Sequence, residues 1–299
     1  MVQTIVSAFI LIFSLNAHAR TLLFEGYYKI SSGDQHIGFA ISRYEFDGKQ
    51  KKFYSTQFTK LSSAGTEVIE SLNAVSESDD FMTPVSYKYV SMVGKDSKII
   101  DAKFTKSAGD KIKMSAVVSE SGKKPIKILN DLPPKVFLST FLSYRLLKSP
   151  KGIQTKTQEK YAAIAEEDGQ VENGSVNIMS EEKYKGFTAF KINNSFKKNT
   201  FLSYLTDKGE ALAVIVNDAR LTSELVADKA EAIGTVGIPE SVIKTLFGST
   251  PRGEKNIVSH YFKRDTQTVT PQNGGKQEGF PAGQGIHIKN QPQPSKEEP

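Results

Sequence analysis

Apolar and polar residues alternate along most of this chain, and this alternation constrains its fold more than any other feature. Val85, Tyr87 and Tyr89 occupy every second position of one segment, with Lys88 on the opposite face. The same repeat returns at 112–118. A strand points successive side chains to opposite faces, and one apolar face with one polar face is typical of an antiparallel sheet. The chain is therefore predicted to be mostly β.

Turn-forming residues separate these segments at short intervals. Asp47-Gly48 and Asp207-Lys208-Gly209 each lie between two strand-like runs, and such sequences are strong signals of β-hairpins. Residues 220–226 fit a strand, and a helix almost as well. Pro239–Phe247, followed by Gly248, predicts a short helix near the C-terminus, because proline suits the first turn of a helix and glycine its end.

One longer helix is predicted at the centre of the chain, over 133–148. Pro133 and Pro134 suit its start, and Ser149-Pro150-Lys151-Gly152 ends it. Its apolar stripe consists of Phe137, Leu138, Phe141 and Leu142, with Tyr144 beside it. The stripe either belongs to the core or lines a cavity for an apolar ligand.

Strand-rich lobes at 20–130 and 153–226 flank the predicted helix. The expected architecture is therefore a curved antiparallel sheet or half-barrel that wraps one central helix. Arg145 continues the line of Phe137 and Phe141 by one more step of four. Three roles are open to it: a cation in the last turn of the helix, one partner of a buried ion pair, or a contact to an anionic headgroup at a cavity rim.

The two ends of the chain differ from its middle. Residues 1–19 have the features of a signal peptide, because Ile5–Leu15 is a short apolar run and Ala17-His18-Ala19 matches a cleavage signature. Export with cleavage after Ala19 predicts a periplasmic or secreted protein, and an uncleaved membrane anchor is the alternative. Residues 265–299 have little to bury and predict a disordered tail. A β-rich domain over 20–264 remains, and it is not predicted to be an integral membrane protein once processed.

Composition argues against several classes of function. The chain has no cysteine, which excludes thiol nucleophiles, disulfides and cysteine-based zinc sites. Its formal charge is +6, but only 6 of its 39 basic residues are arginine. Proteins that read nucleic acid favour arginine forks interleaved with aromatic residues, so no nucleic-acid partner is predicted.

No catalytic motif is present in the sequence. It lacks the serine elbow, the zinc-protease helix, the phosphate-binding loop and the dinucleotide fingerprint. His36 is expected in a solvated turn and His260 in a strand. The acidic cluster Glu166-Glu167-Asp168 is expected to be a solvated turn, since it lacks the spacing of a calcium loop. No enzymatic activity, metal or cofactor is therefore predicted.

Two segments resemble a family of exported proteins of unknown function. Ser139–Arg145, STFLSYR, followed by Lys151-Gly152, looks like the central "LS…Y.LR…G" segment of that family. Gly26–Ile30, continuing to Ile37-Gly38, is similar to its first hairpin. In that family curved antiparallel sheets wrap a helix, and the shape is similar to that of carriers that move lipoproteins across the periplasm. A tryptophan expected in the last hairpin is absent, with Tyr204 near its place.

The resemblance implies an exported, non-catalytic β-protein that binds or carries a lipid or another apolar ligand in the cell envelope. The apolar stripe would then line the cavity and Arg145 would lie at its rim. A structural or protein-interaction module with a filled core and an envelope partner is the alternative. A hydrolase whose site is assembled from scattered residues is a third possibility.

Overall fold

The computed structural model describes residues 20–63, 65–106 and 111–267. Within these ranges fifteen strands form one sheet, and every neighbouring pair is antiparallel except β9 with β10. The first eight strands run β1 Thr21–Ser32, β2 Gln35–Asp47, β3 Lys52–Ser63, β4 Thr66–Glu77, β5 Pro84–Val93, β6 Asp96–Lys106, β7 Ile112–Glu120 and β8 Ile126–Leu132. The others are β9 Phe137–Leu138, β10 Thr157–Ala165, β11 Gln170–Tyr184, β12 Phe187–Phe196, β13 Asn199–Leu205, β14 Ala211–Val216 and β15 Leu221–Val226. The predicted mostly-β class is confirmed.

The sheet is two meanders joined where β1 pairs with β15. Its order is β8-β7-β6-β5-β4-β3-β2-β1-β15-β14-β13-β12-β11-β10-β9, so β8 and β9 lie at opposite ends. Only residues 133–136 connect them in the chain, and four residues span less than about 20 Å. A flat sheet would separate these ends by roughly 65 Å. The sheet must therefore curl until its two ends approach, which creates a concave interior.

The central segment fills this interior, but the predicted helix over 133–148 is wrong in extent. Phe137–Leu138 is the short strand β9, Ser139–Phe141 is a turn of 3₁₀ helix, and only Leu142–Leu147 is α-helix, named α1 here. Lys135 adopts a left-handed backbone conformation with φ 64°. Phe137 and Leu138 pair in parallel with Ala163 and Ile164 of β10. Hydrogen bonding to a distant strand thus overrides the local helical pattern.

Three further helices follow the sheet in the part of the chain that the structure describes: α2 Lys229–Ile233, α3 Glu240–Phe247 and α4 Ile257–Gln267. Helix α3 confirms the short helix predicted near the C-terminus, and β15 settles 220–226 as a strand. His260 lies in α4, so its expected place in a strand is wrong. Helix α4 also includes Asp265–Gln267, the first three residues of the predicted tail. No helix in these described ranges is both long and apolar enough to cross a membrane.

Candidate functional site

The central segment 136–147, called the plug here, packs against both halves of the sheet. Phe137, Leu138 and Phe141 are fully buried in the largest core cluster, whereas Leu142 and Tyr144 are partly buried beside it. The Tyr44 ring of β2 lies 6.3 Å from Phe141 and 4.9 Å from Tyr144. On the other side, the Tyr161 ring of β10 lies 5.5 Å from Phe137. The predicted stripe is thus packed as core, and it fills the concave face around it.

Arg145 forms an ion pair with Glu159 of β10. Its guanidinium carbon also lies 4.8 Å from the centre of the Phe137 ring. The Arg145 side chain is 15% exposed and that of Glu159 is 41% exposed. Because Glu159 stays in contact with water, this pair contributes little net stability. Nε and Nη1 of Arg145 are buried and have no hydrogen-bond partner among the described residues. Arg145 lies in the last turn of α1.

Glu166 anchors the start of the plug and was missed by the sequence analysis. It is buried, and it accepts hydrogen bonds from the Ser139 hydroxyl at 2.6 Å and the Thr140 amide at 3.1 Å. The expectation of a solvated turn is therefore wrong for Glu166, because the turn after β10 faces the plug and not water. Burial raises the pKa of the Glu166 carboxyl to about 7. The apolar run Ala163-Ile164-Ala165 immediately before it is the signal in the sequence that could have indicated burial.

A network of polar side chains ties the plug to β2 and β3. The Gln57 amide donates to the Thr140 hydroxyl at 2.6 Å and to the Tyr44 hydroxyl at 3.0 Å. The Tyr44 hydroxyl in turn donates to the Thr140 carbonyl at 3.0 Å. Ser55 lies 3.2 Å from the Thr140 hydroxyl. These groups are buried or partly buried, and each hydrogen-bonds within the network, which fixes the position of the plug.

A polar cleft of about 370 Å³ opens beside this network. Glu70, Glu166 and Glu167 line it, and none of its lining residues among those described is basic. The Tyr89 hydroxyl donates to Glu70 at 2.6 Å. No group of acidic and histidine side chains in the described parts of the chain has the arrangement of a metal site. The cleft is thus a negatively charged depression above the anchor of the plug.

The carboxyl of Glu166 makes stability depend on pH. Its folded-state pKa is about 7 against an ordinary 4.5, so the folded protein binds more protons than the unfolded chain between these values. Stability should therefore fall as pH rises through this window, by up to about 1 kcal/mol per pH unit. Glu166→Gln should remove this slope, as measured by urea unfolding at a series of pH values.

Two comparisons isolate that effect. Burial also raises the pKa of Glu210, and that contribution is present in both the parent and Glu166→Gln. The difference between their curves of stability against pH therefore belongs to Glu166. Glu181→Gln, which removes an exposed carboxylate from β11, controls for the loss of one charge. Parallel curves for parent and Glu166→Gln would contradict the assignment.

A second, apolar groove lies between the sheet and α4. Its volume is about 410 Å³. The apolar lining is Phe187, Leu212, Leu225, Val226, Ala227, Val258 and Phe262. Among the described residues, Glu224, Asp228 and Glu231 form an acidic rim, and one lysine, Lys185, lies beside them and pairs with Glu224. The sequence analysis missed this groove because its walls come from segments that are distant in the chain.

His36 holds a helix against the first hairpin. Its Nε2 atom lies 2.8 Å from the Gly38 carbonyl and 2.9 Å from the Ala232 carbonyl of α2. The ring is partly buried, so the expectation of a solvated turn residue is wrong. Both neighbours of this nitrogen are backbone carbonyls, which is a packing arrangement and not that of a general base held by a carboxylate.

No protein-family model matches the chain, and no curated protein matches it in sequence. Among solved structures, the chain is similar to a crystal structure of a β-barrel-like protein of domain of unknown function DUF1849 from Brucella abortus. The TM-score is 0.49 and the sequence identity 12%, over 70% of this chain and 98% of that chain. A similarity of this size assigns neither a family nor an activity.

Proposed function

We propose that this chain is a non-catalytic binding protein of the cell envelope that holds the acyl chain of an amphiphile in the apolar groove beside α4. The observation that carries the proposal is the groove itself, because it has an apolar lining and no described side chain fills it. Its volume of about 410 Å³ falls within the range of roughly 300–1,000 Å³ typical of small-molecule sites.

The sequence analysis expected the ligand on the concave face of the sheet. We place it in the groove instead. Phe137, Leu138 and Phe141 fill that face, so a ligand there would have to displace the plug. Leu212, Leu225 and Val258 belong to a second core cluster and also line the groove. A bound acyl chain would therefore extend an existing apolar surface, and this needs little rearrangement of the protein.

The rim charges favour one class of headgroup. Glu224, Asp228 and Glu231 outnumber Lys185 at the mouth, which leaves an excess of negative charge. Complementary charge at a binding site favours the correct partner and disfavours like charge. We therefore expect an amine-bearing headgroup, such as ethanolamine, to be preferred over a purely anionic one.

The export that the sequence predicts agrees with the same function. The leader expected at residues 1–19 would place the mature chain, beginning at Arg20, where envelope lipids are accessible. Residues 1–19 lie outside the described part of the structure, so cleavage after Ala19 stays a prediction of the sequence.

Binding of two single-chain lipids tests the proposal. Lysophosphatidylethanolamine should bind at least about threefold more tightly than lysophosphatidylglycerol of the same chain length, because of the acidic rim. Phe262→Asp should weaken both, by roughly tenfold or more, because it places a charge against the apolar wall. Isothermal titration below the critical micelle concentration measures these affinities.

A matched control separates this effect from general damage. Val242→Asp changes an exposed apolar residue of α3 that is not part of the groove, and it should leave both affinities unchanged. Equal loss in both variants, or no binding by the parent protein, would reject the groove as a lipid site.

A structural or interaction module is the second candidate. The filled interior around Phe137, Leu138 and Phe141 favours it, since a protein that only presents a surface needs no cavity. Its expected result is a parent protein that binds neither lipid while remaining fully folded.

A further inference from the structure

Strand β8 forms an open edge of the sheet. Ile126–Leu132 pairs with β7 on one side, and it lies at one end of the sheet. Within the described residues, nothing pairs with its other side. An open edge carries unpaired backbone N–H and C=O groups, which can continue the sheet with another strand.

The side chains of this edge are unusually apolar for their exposure. Ile126 is 61% exposed and Leu129 is 77% exposed. Val117 of β7, also exposed, lies on the same face as Leu129 and two positions along the ladder. Natural proteins usually protect an open edge with charges or proline. Here Pro125 precedes the strand, and the charges within it are one lysine, Lys127, and one aspartate, Asp131.

The charges of β8 are arranged symmetrically about Leu129. Lys127 lies two residues before it and Asp131 two residues after it, so all three side chains share one face of the strand. If two β8 strands pair antiparallel with Leu129 opposite Leu129, each Lys127 lies opposite the Asp131 of the other strand. Opposite charges in directly facing positions stabilise an antiparallel pair, and like charges destabilise it.

We infer that β8 pairs antiparallel with β8 of a second copy of this chain, in the register centred on Leu129. A two-fold axis through Leu129 makes the contact closed, so association stops at a dimer. The sheets of the two copies then continue into one another across the edge.

Self-association explains the edge better than an unrelated partner strand does. An unrelated strand would satisfy the backbone groups, but it would need its own complementary charges. The sequence Lys-Ile-Leu-Asn-Asp at 127–131 already provides both halves of the charge pattern. Because the paired edge is only seven residues long, the buried area falls at the low end of specific interfaces. We therefore expect a reversible dimer that forms in the micromolar to millimolar range.

A charge-reversal series tests both the contact and its register. Sedimentation equilibrium of the full chain from about 1 μM to about 1 mM should show a monomer–dimer equilibrium. Lys127→Asp should weaken dimerisation by roughly tenfold or more, because each new aspartate at 127 then faces Asp131 of the other copy, and this happens twice in the dimer. Asp131→Lys should do the same by opposing lysines. The double variant Lys127→Asp with Asp131→Lys should return to within about threefold of the parent.

Two controls make the series specific. Lys103→Asp reverses an exposed charge on β6 and should not change dimerisation, which excludes an effect of net charge alone. Within one chain, Lys113 of β7 faces Asp131 of β8, so the substitutions could also change the stability of the monomer. Urea unfolding of each variant, at a concentration where only monomer is present, measures that change. A parent that stays monomeric throughout, or a double variant as weak as the single ones, would overturn the inference. Neither result would affect lipid binding in the groove.

Discussion

Phe141→Ala is expected to reduce the free energy of unfolding by about 3–5 kcal/mol, the usual cost of removing a large buried aromatic ring. Phe141 is fully buried and lies in the core cluster that contains residues from both halves of the sheet. Its ring contacts Tyr44 at a centroid distance of 6.3 Å in an edge-to-face arrangement. Removing it should leave a cavity in this cluster. Urea unfolding followed by circular dichroism measures the change.

The neighbouring residue supplies the control. Leu142 is only partly buried, so Leu142→Ala should cost about 1–2 kcal/mol, less than a fully buried leucine would. Both substitutions occur in the same short segment, so any effect on helix α1 is shared between them. If Phe141→Ala costs no more than Leu142→Ala, then the plug does not join the two halves of the sheet.

The sequence predicted the sheet because the signal for a strand is local. Alternation in 85–93 reports which face of that strand is buried, whatever its partners are. The turn at Asp47-Gly48 likewise needs only a few neighbouring residues. The prediction of a long central helix was wrong because the structure of that segment depends on a distant part of the chain. Phe137 and Leu138 each lie four residues before another apolar residue of the stripe, which is helical spacing. They nevertheless pair with β10, and that pairing depends on residues more than twenty positions away.

The candidate sites were only partly predictable. The apolar stripe was found, because burial follows from its hydrophobicity. Glu166 was missed since a run of acids suggests water, although the buried strand before it places its first member in the core. The groove beside α4 combines residues from β12, β14, β15 and α4, and no local pattern brings these together. Signal-peptide cleavage stays a prediction, as does the disordered tail beyond α4.

Glu25 attaches the C-terminal segment to the sheet, and no sequence pattern singled it out. One carboxylate oxygen accepts hydrogen bonds from the amides of Arg252 at 2.6 Å and Gly253 at 2.7 Å. The other pairs with Arg43, whose Nη2 lies at 2.6 Å. Arg43 also donates to the carbonyl of Phe247 at 2.7 Å. Gly253 has φ 71°, a conformation that favours glycine, and a Cβ there would lie 2.6 Å from the ring of Tyr27. Substituting Gly253 would therefore strain the same turn.

Glu25→Gln is expected to lower the free energy of unfolding by about 3–5 kcal/mol. The side chains of Glu25 and Arg43 are 5% and 12% exposed, so removing the carboxylate leaves the guanidinium buried without its counter-charge. An amide cannot replace it, because it offers one acceptor atom, and its NH₂ group would face the donors of Arg43 or of the turn.

A surface pair on the same hairpin is the matched control. Glu45 lies 3.6 Å from Arg20, with side-chain exposures of 22% and 43%, so Glu45→Gln should cost less than about 1 kcal/mol. Both variants remove one carboxylate from a pair with arginine, and burial is the main difference between them. Equal unfolding midpoints would mean that the turn at 252–253, rather than the ion pair, attaches the segment. A large loss in Glu25→Gln alone would place that attachment in the buried charge, and it should also loosen α4 and so weaken lipid binding in the groove.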